Sequence, residues 1–272
     1  MQKTSMPTAL TIAGSDSGGG AGIQADLKTF SSFRVFGTSA VTGLTAQNTR
    51  GVQQVELPAI GFIAAQLRAV LDDIRIDAVK TGMLATGDII QTVSEIIKTY
   101  RLPRVVVDPV MIAASGDALM HHDAAPVMRA HLFPLATVVT PNLDEASFLC
   151  ERKIQNVEDM EAAARQIYAM GPRYVLIKGG HLPGDRVVDL LFDGRSFIRR
   201  AADRIRGEFH GTGCTLSSAI AAGLARGLDV PEAVATAQDY IALAIRSAPA
   251  PGGGRRPLNH FPDGFMPPEI RA

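Results

Sequence analysis

The chain has 272 residues, and its 27 Lys and Arg residues equal its 27 Asp and Glu residues, so the formal net charge is zero. The absence of a basic surplus argues against nucleic acid or an anionic membrane as a partner. No uninterrupted apolar stretch approaches the roughly 20 residues that span a bilayer, and residues 1–8 hold no apolar signal region. The two cysteines, Cys150 and Cys214, lack the spacing of a metal site or disulfide framework. We therefore expect a reduced, soluble, cytoplasmic protein.

Strand-like and helix-like segments alternate along the chain. Short apolar runs predict strands at 9–13, 78–80, 104–107, 137–139 and 174–177. Helical periodicity predicts helices at 23–33, 60–72, 89–100 and 158–170, after Cys214, and at 231–247. Segments 187–192 and 196–200 predict a hairpin at the sheet edge. The alternation predicts one three-layer α/β/α domain over residues 1–272, with a mostly parallel sheet and an irregular Pro- and Gly-rich tail at 248–272.

Ligands of such sheets bind at the carboxyl ends of the strands. Segments that could do chemistry follow the predicted strands at 14–22, 80–83, 108–111, 140–145 and 178–181. The first of these is rich in glycine but contains neither G-x-G-x-x-G nor G-K-[ST]. We interpret it as a loop on which a flat ligand lies closely, and the alternative is a plain glycine turn before a helix.

The segment Gly211-Thr212-Gly213-Cys214 precedes a helix whose Leu216, Ile220 and Leu224 share one face. A bent glycine backbone and a helix start together predict an anion hole. A helix N-terminus also lowers the pKa of a thiol. Three interpretations stay open: a helix-start turn with a small buried cysteine, a cysteine nucleophile partnered by His210, and an anion hole for a transferring phosphoryl group.

Charged residues at the other strand ends suggest a phosphate and metal site. Asp108 ends a strand and could hold Mg²⁺, although a turn or helix-capping role is the plain alternative. Glu145, with Asn142, would lie near the metal, or the two would simply start a helix. Lys178 could neutralise phosphate charge, although lysines at strand ends are usually solvated.

The motifs together resemble those of the hydroxymethylpyrimidine/phosphomethylpyrimidine kinases, thiamine-biosynthesis enzymes of the ribokinase superfamily. The resemblance runs from about residue 8 to residue 262. It is carried by residues 13–26 (AGSDSGGGAGIQAD), 45–49 (TAQNT), 80–84 (KTGML), 107–111 (VDPVM), 142–145 (NLDE), 211–214 (GTGC) and 257–261 (PLNHF). Their order and spacing are more specific than any one motif.

The resemblance implies a ribokinase-like fold, a homodimer, and transfer of the ATP γ-phosphoryl group. The acceptors would be the hydroxymethyl group of an aminopyrimidine and then the resulting monophosphate. It further implies that Gln47 and Asp26 hydrogen-bond the pyrimidine, that Met83 and Val110 pack on its faces, and that Ala21 and the Gly14 backbone close the pocket.

For the phosphoryl donor ATP, the resemblance implies that the amides of Gly211, Thr212, Gly213 and Cys214 hold the transferring group. Asp108 and Glu145 would govern Mg²⁺. The residues expected on the ATP side are Lys178, Asn142 and His210, the last beside the adenine.

Cys214 identifies the branch of the superfamily, because sugar kinases usually carry aspartate there and the pyrimidine kinases carry cysteine. Some related pyridoxal kinases share the cysteine, so a pyridoxal or pyridoxine kinase is the alternative. We interpret Cys214 as a general base or an acceptor-positioning group. The remaining alternative is a cysteine–histidine transferase or hydrolase that uses Cys214 and His210.

Overall fold

The structure is a computed structural model that describes residues 6–111, 120–121 and 123–271. All candidate site residues lie within these ranges, whereas residues 1–5 of the N-terminal segment lie outside them. None of the helices in the described part of the chain is long and apolar enough to cross a membrane.

A nine-stranded sheet in the order β3-β2-β1-β4-β5-β6-β7-β8-β9 forms the centre of the described structure. Its strands are β1 (Thr8–Asp16), β2 (Phe36–Asn48), β3 (Gly51–Glu56), β4 (Ala78–Thr81), β5 (Val105–Val107), β6 (Val138–Val139), β7 (Tyr174–Ile177), β8 (Arg186–Phe192) and β9 (Phe197–Asp203). From β2 to β7 the neighbours are parallel, and β3, β8 and β9 join antiparallel at the edges. The predicted α/β class with a mostly parallel sheet is confirmed.

Helices cover both faces of this sheet. They are α1 (Gly22–Ser32), α2 (Ile60–Leu71), α3 (Gly87–Thr99), α4 (Ala124–Val127), α5 (Leu143–Cys150), α6 (Val157–Tyr168), α7 (Thr212–Ala225) and α8 (Val230–Arg246). Alternate strand residues serve opposite cores: Val105 and Val107 pack with α2, α3, α5 and α6, whereas Val106 packs with α1, α7 and α8. The buried all-valine strand β5 is typical of a parallel sheet that is covered on both sides.

The first strand and the β2–β3 hairpin differ from the sequence-based prediction. β1 runs to Asp16 because its pairing with β2 continues to Asp16 opposite Thr45. The glycine loop therefore begins at Ser17. The sequence analysis did not predict β2 and β3. β2 mixes threonines and glycines with few apolar residues and shows no clear alternation.

The segment after α8 is mostly irregular but is tied to the body. Its strand β11 (Arg256–Pro257) pairs in parallel with β10 (Phe209–His210), just before α7. The Tyr240 hydroxyl on α8 donates to the His260 carbonyl at 2.7 Å. These contacts hold the tail against the start of α7, where the predicted anion hole lies.

Candidate active site

A cavity of about 620 Å³ opens at the carboxyl ends of the parallel strands. Polar and apolar groups from distant parts of the chain share its wall. Fourteen of the candidate site residues line it: Gly14, Ala21, Gln47, Met83, Asp108, Val110, Asn142, Glu145, Lys178, His210, Gly211, Thr212, Gly213 and Cys214. The topology therefore brings together segments that lie up to 200 residues apart in the sequence.

Asp26 is the exception, and its expected role needs correction. Its side chain has no exposed surface, and its two carboxylate oxygens lie 3.0 and 2.9 Å from Lys80 Nζ. Thr11 and Ser218 also donate hydroxyl hydrogen bonds to this carboxylate. Because the group is fully buried and already occupied, it does not reach a ligand in the cavity and cannot hydrogen-bond a pyrimidine directly.

Lys80 is a site residue that the sequence analysis did not assign. It lies at the cavity wall with its side chain fully buried. Burial alone would lower the pKa of Lys80, but the negative charges of Asp26 and Asp108 and the hydrogen bond to Asp26 hold it above its ordinary value. The ammonium therefore stays charged. A lysine in an otherwise apolar strand was the available signal, because such a charge needs a buried partner.

The start of α7 is shaped by its glycines. Gly211 has φ +82°, and a Cβ there would lie 1.8 Å from the Gly20 carbonyl oxygen, so a larger residue does not fit. A Cβ on Gly213 would lie 3.2 Å from Lys178 Nζ, so the first turn of α7 lies next to the Lys178 ammonium. Gly211 supplies no side-chain cap, and the first-turn N–H groups therefore remain available to an anion.

The expectation that the helix start lowers the pKa of Cys214 is wrong. Burial raises the pKa of this thiol to about 11, and the carboxylates of Asp26 and Asp108 act in the same direction. The Lys80 charge and a hydrogen bond from the Gly22 N–H oppose the increase without cancelling it. The thiol is thus protonated at neutral pH, because loss of hydration outweighs the opposing Lys80 charge and Gly22 hydrogen bond.

Two carboxylates share one lysine where β5, β6 and β7 end. Lys178 Nζ lies 3.1 Å from Asp108 Oδ1 and 4.0 Å from Glu145 Oε2. Asp108 also accepts hydrogen bonds from the Thr140 and Ser217 hydroxyls. Burial raises the pKa of Glu145 to about 7; Lys178 opposes this increase and Asp108 adds to it. When Glu145 is ionised the two carboxylates outnumber the one ammonium, and a cation would relieve the excess negative charge.

Asn142 and Glu145 are both a helix cap and part of the cavity wall. The Asn142 side chain accepts a hydrogen bond from the Glu145 N–H at 2.9 Å, and Glu145 Oε2 accepts one from the Asn142 N–H at 2.7 Å. This reciprocal pair is a capping box at the start of α5. The structural and functional interpretations of this segment are therefore compatible.

His210 occupies a different place from the one expected. Its Nε2 lies 2.9 Å from Asp16 Oδ2 and 3.1 Å from the side-chain amide nitrogen of Gln47. The ring also packs on Gly20, where a Cβ would lie 2.6 Å from His210 Cδ2. His210 thus contacts Gln47, a residue expected on the pyrimidine side, rather than Lys178 or Asn142, which are expected on the ATP side.

Asp16 is a second residue that the sequence analysis left unassigned. It accepts backbone hydrogen bonds from Gly18, Gly20 and Ala21 in addition to the contact with His210. Burial would raise the pKa of Asp16, but these hydrogen bonds and the His210 charge hold it below its ordinary value. An aspartate followed by three glycines was the available signal, because such a loop can fold its N–H groups around a carboxylate.

Met83 forms an apolar wall beside the Gln47 amide. A Cβ on Gly14 would lie 3.3 Å from Met83 Sδ, and one on Gly43 would lie 2.7 Å from Met83 Cε. The two glycines thus make room for the methionine side chain, and Val110 lines the same cavity. An apolar wall next to an amide suits a flat heteroaromatic ring.

The cysteine–histidine alternative lacks the required geometry. His210 Nε2 faces Asp16 and Gln47, and no hydrogen bond joins Cys214 to His210 in the described residues. The parallel α/β/α fold, the uncapped α7 start and the adjoining lysine and carboxylates instead define a kinase of the ribokinase-like fold.

Comparison with known proteins specifies the family. A family model described as phosphomethylpyrimidine kinase matches residues 16–259. The chain is 50% identical over 257 residues to the hydroxymethylpyrimidine/phosphomethylpyrimidine kinase of Rhizobium meliloti, which covers 93% of this chain and 96% of that protein. The chain belongs to the phosphomethylpyrimidine kinase family.

Two further relatives place the family in context. A thiamine biosynthesis bifunctional protein of Geobacter sulfurreducens is 50% identical over 253 residues, 93% of this chain and 52% of that protein, so the chain spans about half of it. The crystal structure of an ADP complex of Bacillus subtilis pyridoxal kinase superposes with a TM-score of 0.88 at 43% identity. That match covers 94% of this chain and 98% of the other.

Proposed function

We propose that the protein phosphorylates 4-amino-5-hydroxymethyl-2-methylpyrimidine with ATP, and then phosphorylates the monophosphate to the diphosphate, in thiamine biosynthesis. One observation carries the proposal: a single cavity contains both the Gln47–Met83 wall and the Lys178–Asp108 pair. The start of α7 connects them, because Gly211 contacts Gly20 beside His210 and Gly213 contacts Lys178. An acceptor ring and a donor phosphate can therefore meet at one helix N-terminus.

The ring is held by the apolar wall and the Gln47 amide. Met83 and Val110 would pack on its faces, while Gln47 would hydrogen-bond its edge and Gly14 and Ala21 would close the pocket. A carboxamide offers one donor and one acceptor side by side. The edge of an aminopyrimidine offers an amino donor beside a ring-nitrogen acceptor, so the two edges are complementary.

The phosphate side uses backbone N–H groups and one ammonium. Lys178 would neutralise phosphate charge, the N–H groups of Gly211–Cys214 would receive the transferring group, and Asn142 would adjoin the nucleotide. Because the transition state of phosphoryl transfer is loose, positioning and charge neutralisation supply most of the catalysis. These groups are fixed before the substrates bind, so they need little reorganisation during the reaction.

Asp108 and Glu145 fit a magnesium ion held jointly with phosphate oxygens. In the described residues no group of three His, Cys, Asp or Glu side chains could hold a metal without a ligand. Two carboxylates, together with phosphate oxygens of ATP, are ligands of the kind that Mg²⁺ uses, and Asp108 and Glu145 lie buried beside Lys178. The bound ion would neutralise phosphate charge in the transfer.

The two acceptors differ in their need for a base. The hydroxymethyl group must lose a proton as it is phosphorylated, whereas the monophosphate is already anionic near neutral pH. Cys214 is the group we assign to the alcohol step. Since burial raises the pKa of this thiol to about 11, only a small thiolate fraction is present near neutral pH to accept the hydroxymethyl proton.

Pyridoxal is the second candidate acceptor. The support is the close structural likeness to Bacillus subtilis pyridoxal kinase. The deciding experiment measures ADP formation with the aminopyrimidine alcohol, its monophosphate and pyridoxal side by side. We expect turnover of both pyrimidines at a higher kcat/KM than pyridoxal. Turnover of pyridoxal alone would overturn the proposal.

Gln47→Ala provides the residue-level test of the pyrimidine site. Loss of one neutral hydrogen bond corresponds to about 1 kcal/mol, so we expect the KM for the pyrimidine to rise roughly 5- to 10-fold and that for ATP to change little. The adjacent exposed Asn48→Ala is the matched control. A change confined to the KM for ATP would remove Gln47 from the acceptor site.

The family resemblance also implies a homodimer in the cytoplasm, and we propose both. Leu44, Val55 and Phe62 are 50%, 38% and 62% exposed near the edge of the sheet, and such apolar surface is suited to a partner copy. Both cysteines are free thiols, as expected in a reducing compartment. Sedimentation equilibrium would give twice the 28.8 kDa chain mass for a dimer.

A further inference from the structure

A chain of polar contacts runs from the glycine loop to the Gln47 side chain. Asp16 Oδ2 lies 2.9 Å from His210 Nε2, which lies 3.1 Å from one end of the Gln47 amide. The other end of that amide lies 3.1 Å from Thr45 Oγ1. Thr45 Oγ1 in turn lies 2.9 Å from the Ser15 carbonyl oxygen.

The protons available to this series of polar contacts determine which group donates and which accepts in each. A carbonyl oxygen can only accept, so the single hydroxyl proton of Thr45 is donated to Ser15. Thr45 Oγ1 is then left as an acceptor toward Gln47. At the other end, the Asp16 carboxylate can only accept, so His210 Nε2 carries the proton that is donated to it.

The Gln47 amide has two orientations, related by a half-turn, and only one satisfies both neighbours. With its nitrogen toward His210, two N–H donors would face each other, and its oxygen would face a hydroxyl whose proton is already used. With its nitrogen toward Thr45, the amide donates to the free Thr45 lone pair, and its oxygen faces the single Nε2–H of His210, which is shared between Asp16 at 2.9 Å and Gln47 at 3.1 Å in a three-centre hydrogen bond. Ser17 fixes the backbone of Gln47 by donating to its carbonyl and accepting from its N–H, both at 2.8 Å.

We infer that the Asp16–His210 pair, with Thr45, locks the Gln47 amide with its oxygen toward His210. His210 and Asp16 are then positioning residues that set the donor and acceptor pattern presented to the ring. In the locked state one N–H and one oxygen lone pair remain for a ligand, in a fixed order along the cavity wall. This inference rests on the proposed function for the identity of the ring, because an aminopyrimidine edge needs that pattern in one order only.

A double-mutant cycle tests whether His210 acts through Gln47. The four proteins are the wild type, His210→Phe, Gln47→Ala and the double variant, assayed for kcat/KM with the pyrimidine alcohol at saturating ATP. Phenylalanine keeps the ring on Gly20 but removes the Nε2–H. We expect His210→Phe to lower kcat/KM roughly 5- to 10-fold, mainly through KM, in the presence of Gln47. In the Gln47→Ala background we expect less than about a twofold effect.

The cycle has clear contrary outcomes. The inference would be overturned if His210→Phe caused an equal loss of kcat/KM with and without Gln47→Ala. It would also be overturned by a loss confined to kcat, or by no loss when Gln47 is present. Thr45→Val removes the acceptor at the other end of the amide and is expected to show the same non-additivity. It keeps the test decisive if His210→Phe fails to fold.

The exposed His131→Phe, which does not line the cavity, is the control and should change neither constant. If the wild type turns over pyridoxal but neither pyrimidine, the proposed function fails on that result alone. The cycle is then run with pyridoxal, and non-additivity still decides the role of His210.

Discussion

Lys178 Nζ lies 3.1 Å from Asp108 Oδ1, across the ends of two strands that belong to different βαβ units. The pair is buried, with side-chain exposures of 14% and 2%, and Glu145 adds a second carboxylate at 4.0 Å. Burial alone would lower the pKa of Lys178, but Asp108 and Glu145 hold it above its ordinary value. The lysine is therefore charged throughout the neutral range, as a phosphate-binding group must be.

We predict that Lys178→Met lowers kcat about 10²- to 10³-fold, the usual cost of removing one preorganised group that stabilises transition-state charge. Steady-state kinetics with the pyrimidine alcohol and ATP checks this, with circular dichroism to show that the variant is folded. The exposed Lys153→Met serves as the matched control. A variant with an unchanged kcat would contradict the assignment of Lys178 to the phosphate side.

The raised pKa of Cys214 predicts different pH profiles for the two phosphorylation steps. With a pKa of about 11 the thiolate fraction increases about tenfold per pH unit between pH 7 and 9. If the thiolate accepts the hydroxymethyl proton, the alcohol step should accelerate accordingly, whereas the monophosphate step should not. Single-turnover rates for both acceptors over this range provide the measurement.

Cys214→Ala should flatten the alcohol profile and slow that step about 10²-fold or more. Cys150→Ala is the control, because Cys150 is buried between α5 and α6 and does not line the cavity. Parallel profiles for the two acceptors in the wild type would exclude the base role and leave Cys214 as a group that positions the acceptor.

The buried Asp26–Lys80 pair predicts a large loss of stability when one partner is removed. Asp26→Asn leaves the Lys80 ammonium without its carboxylate in a fully buried position. We expect the free energy of unfolding to fall by about 3–5 kcal/mol, measured by urea denaturation. Adding Lys80→Met should restore part of that loss, since the double variant buries no unpaired charge. A single variant as stable as the wild type would show that water or another group compensates Lys80.

The lowered pKa of the buried His260 predicts that the protein loses stability on mild acidification. Burial and the Lys28 charge lower the pKa of His260 from 6.5 to about 4 in the folded protein. Between these values the unfolded chain binds more protons, so stability falls as pH decreases from about 6.5 and this contribution levels off near 4. The contribution approaches about 3 kcal/mol over the full interval.

The measurement compares urea denaturation of the wild type and His260→Gln at several pH values. The variant should lose less stability on acidification. Glu145 titrates in the same range with the opposite sign, but it is present in both proteins and cancels in the comparison. His131→Gln, at an exposed position, should behave as the wild type. Parallel curves for the wild type and His260→Gln would show that His260 is not the group responsible.

Much of the fold was predictable, because its signals are local. The all-valine strand before Asp108 and the periodic helices appear within short windows of sequence. The β2–β3 hairpin was not predictable in this way, since its long strands are stabilised by pairing with β1 rather than by a clear alternation of their own. The segments around Gly14, Asp108, Asn142 and Lys178 could be nominated because parallel strands end at one edge, whereas Gln47 and Asp26 came from the family resemblance; all the candidates except Asp26 line the cavity.

By itself, the sequence determined the α/β class, the segments at the strand ends and the glycine-flanked start of α7. Tertiary structure decided what each charged or reactive group can do there. It placed His210 on Asp16, 194 positions away in the chain, and buried Asp26 against Lys80. It also left the Cys214 thiol protonated despite its position at a helix start. The physical reason is that hydration and charge pairing depend on neighbours brought together only by folding, and at Cys214 the loss of hydration is the largest effect on the pKa.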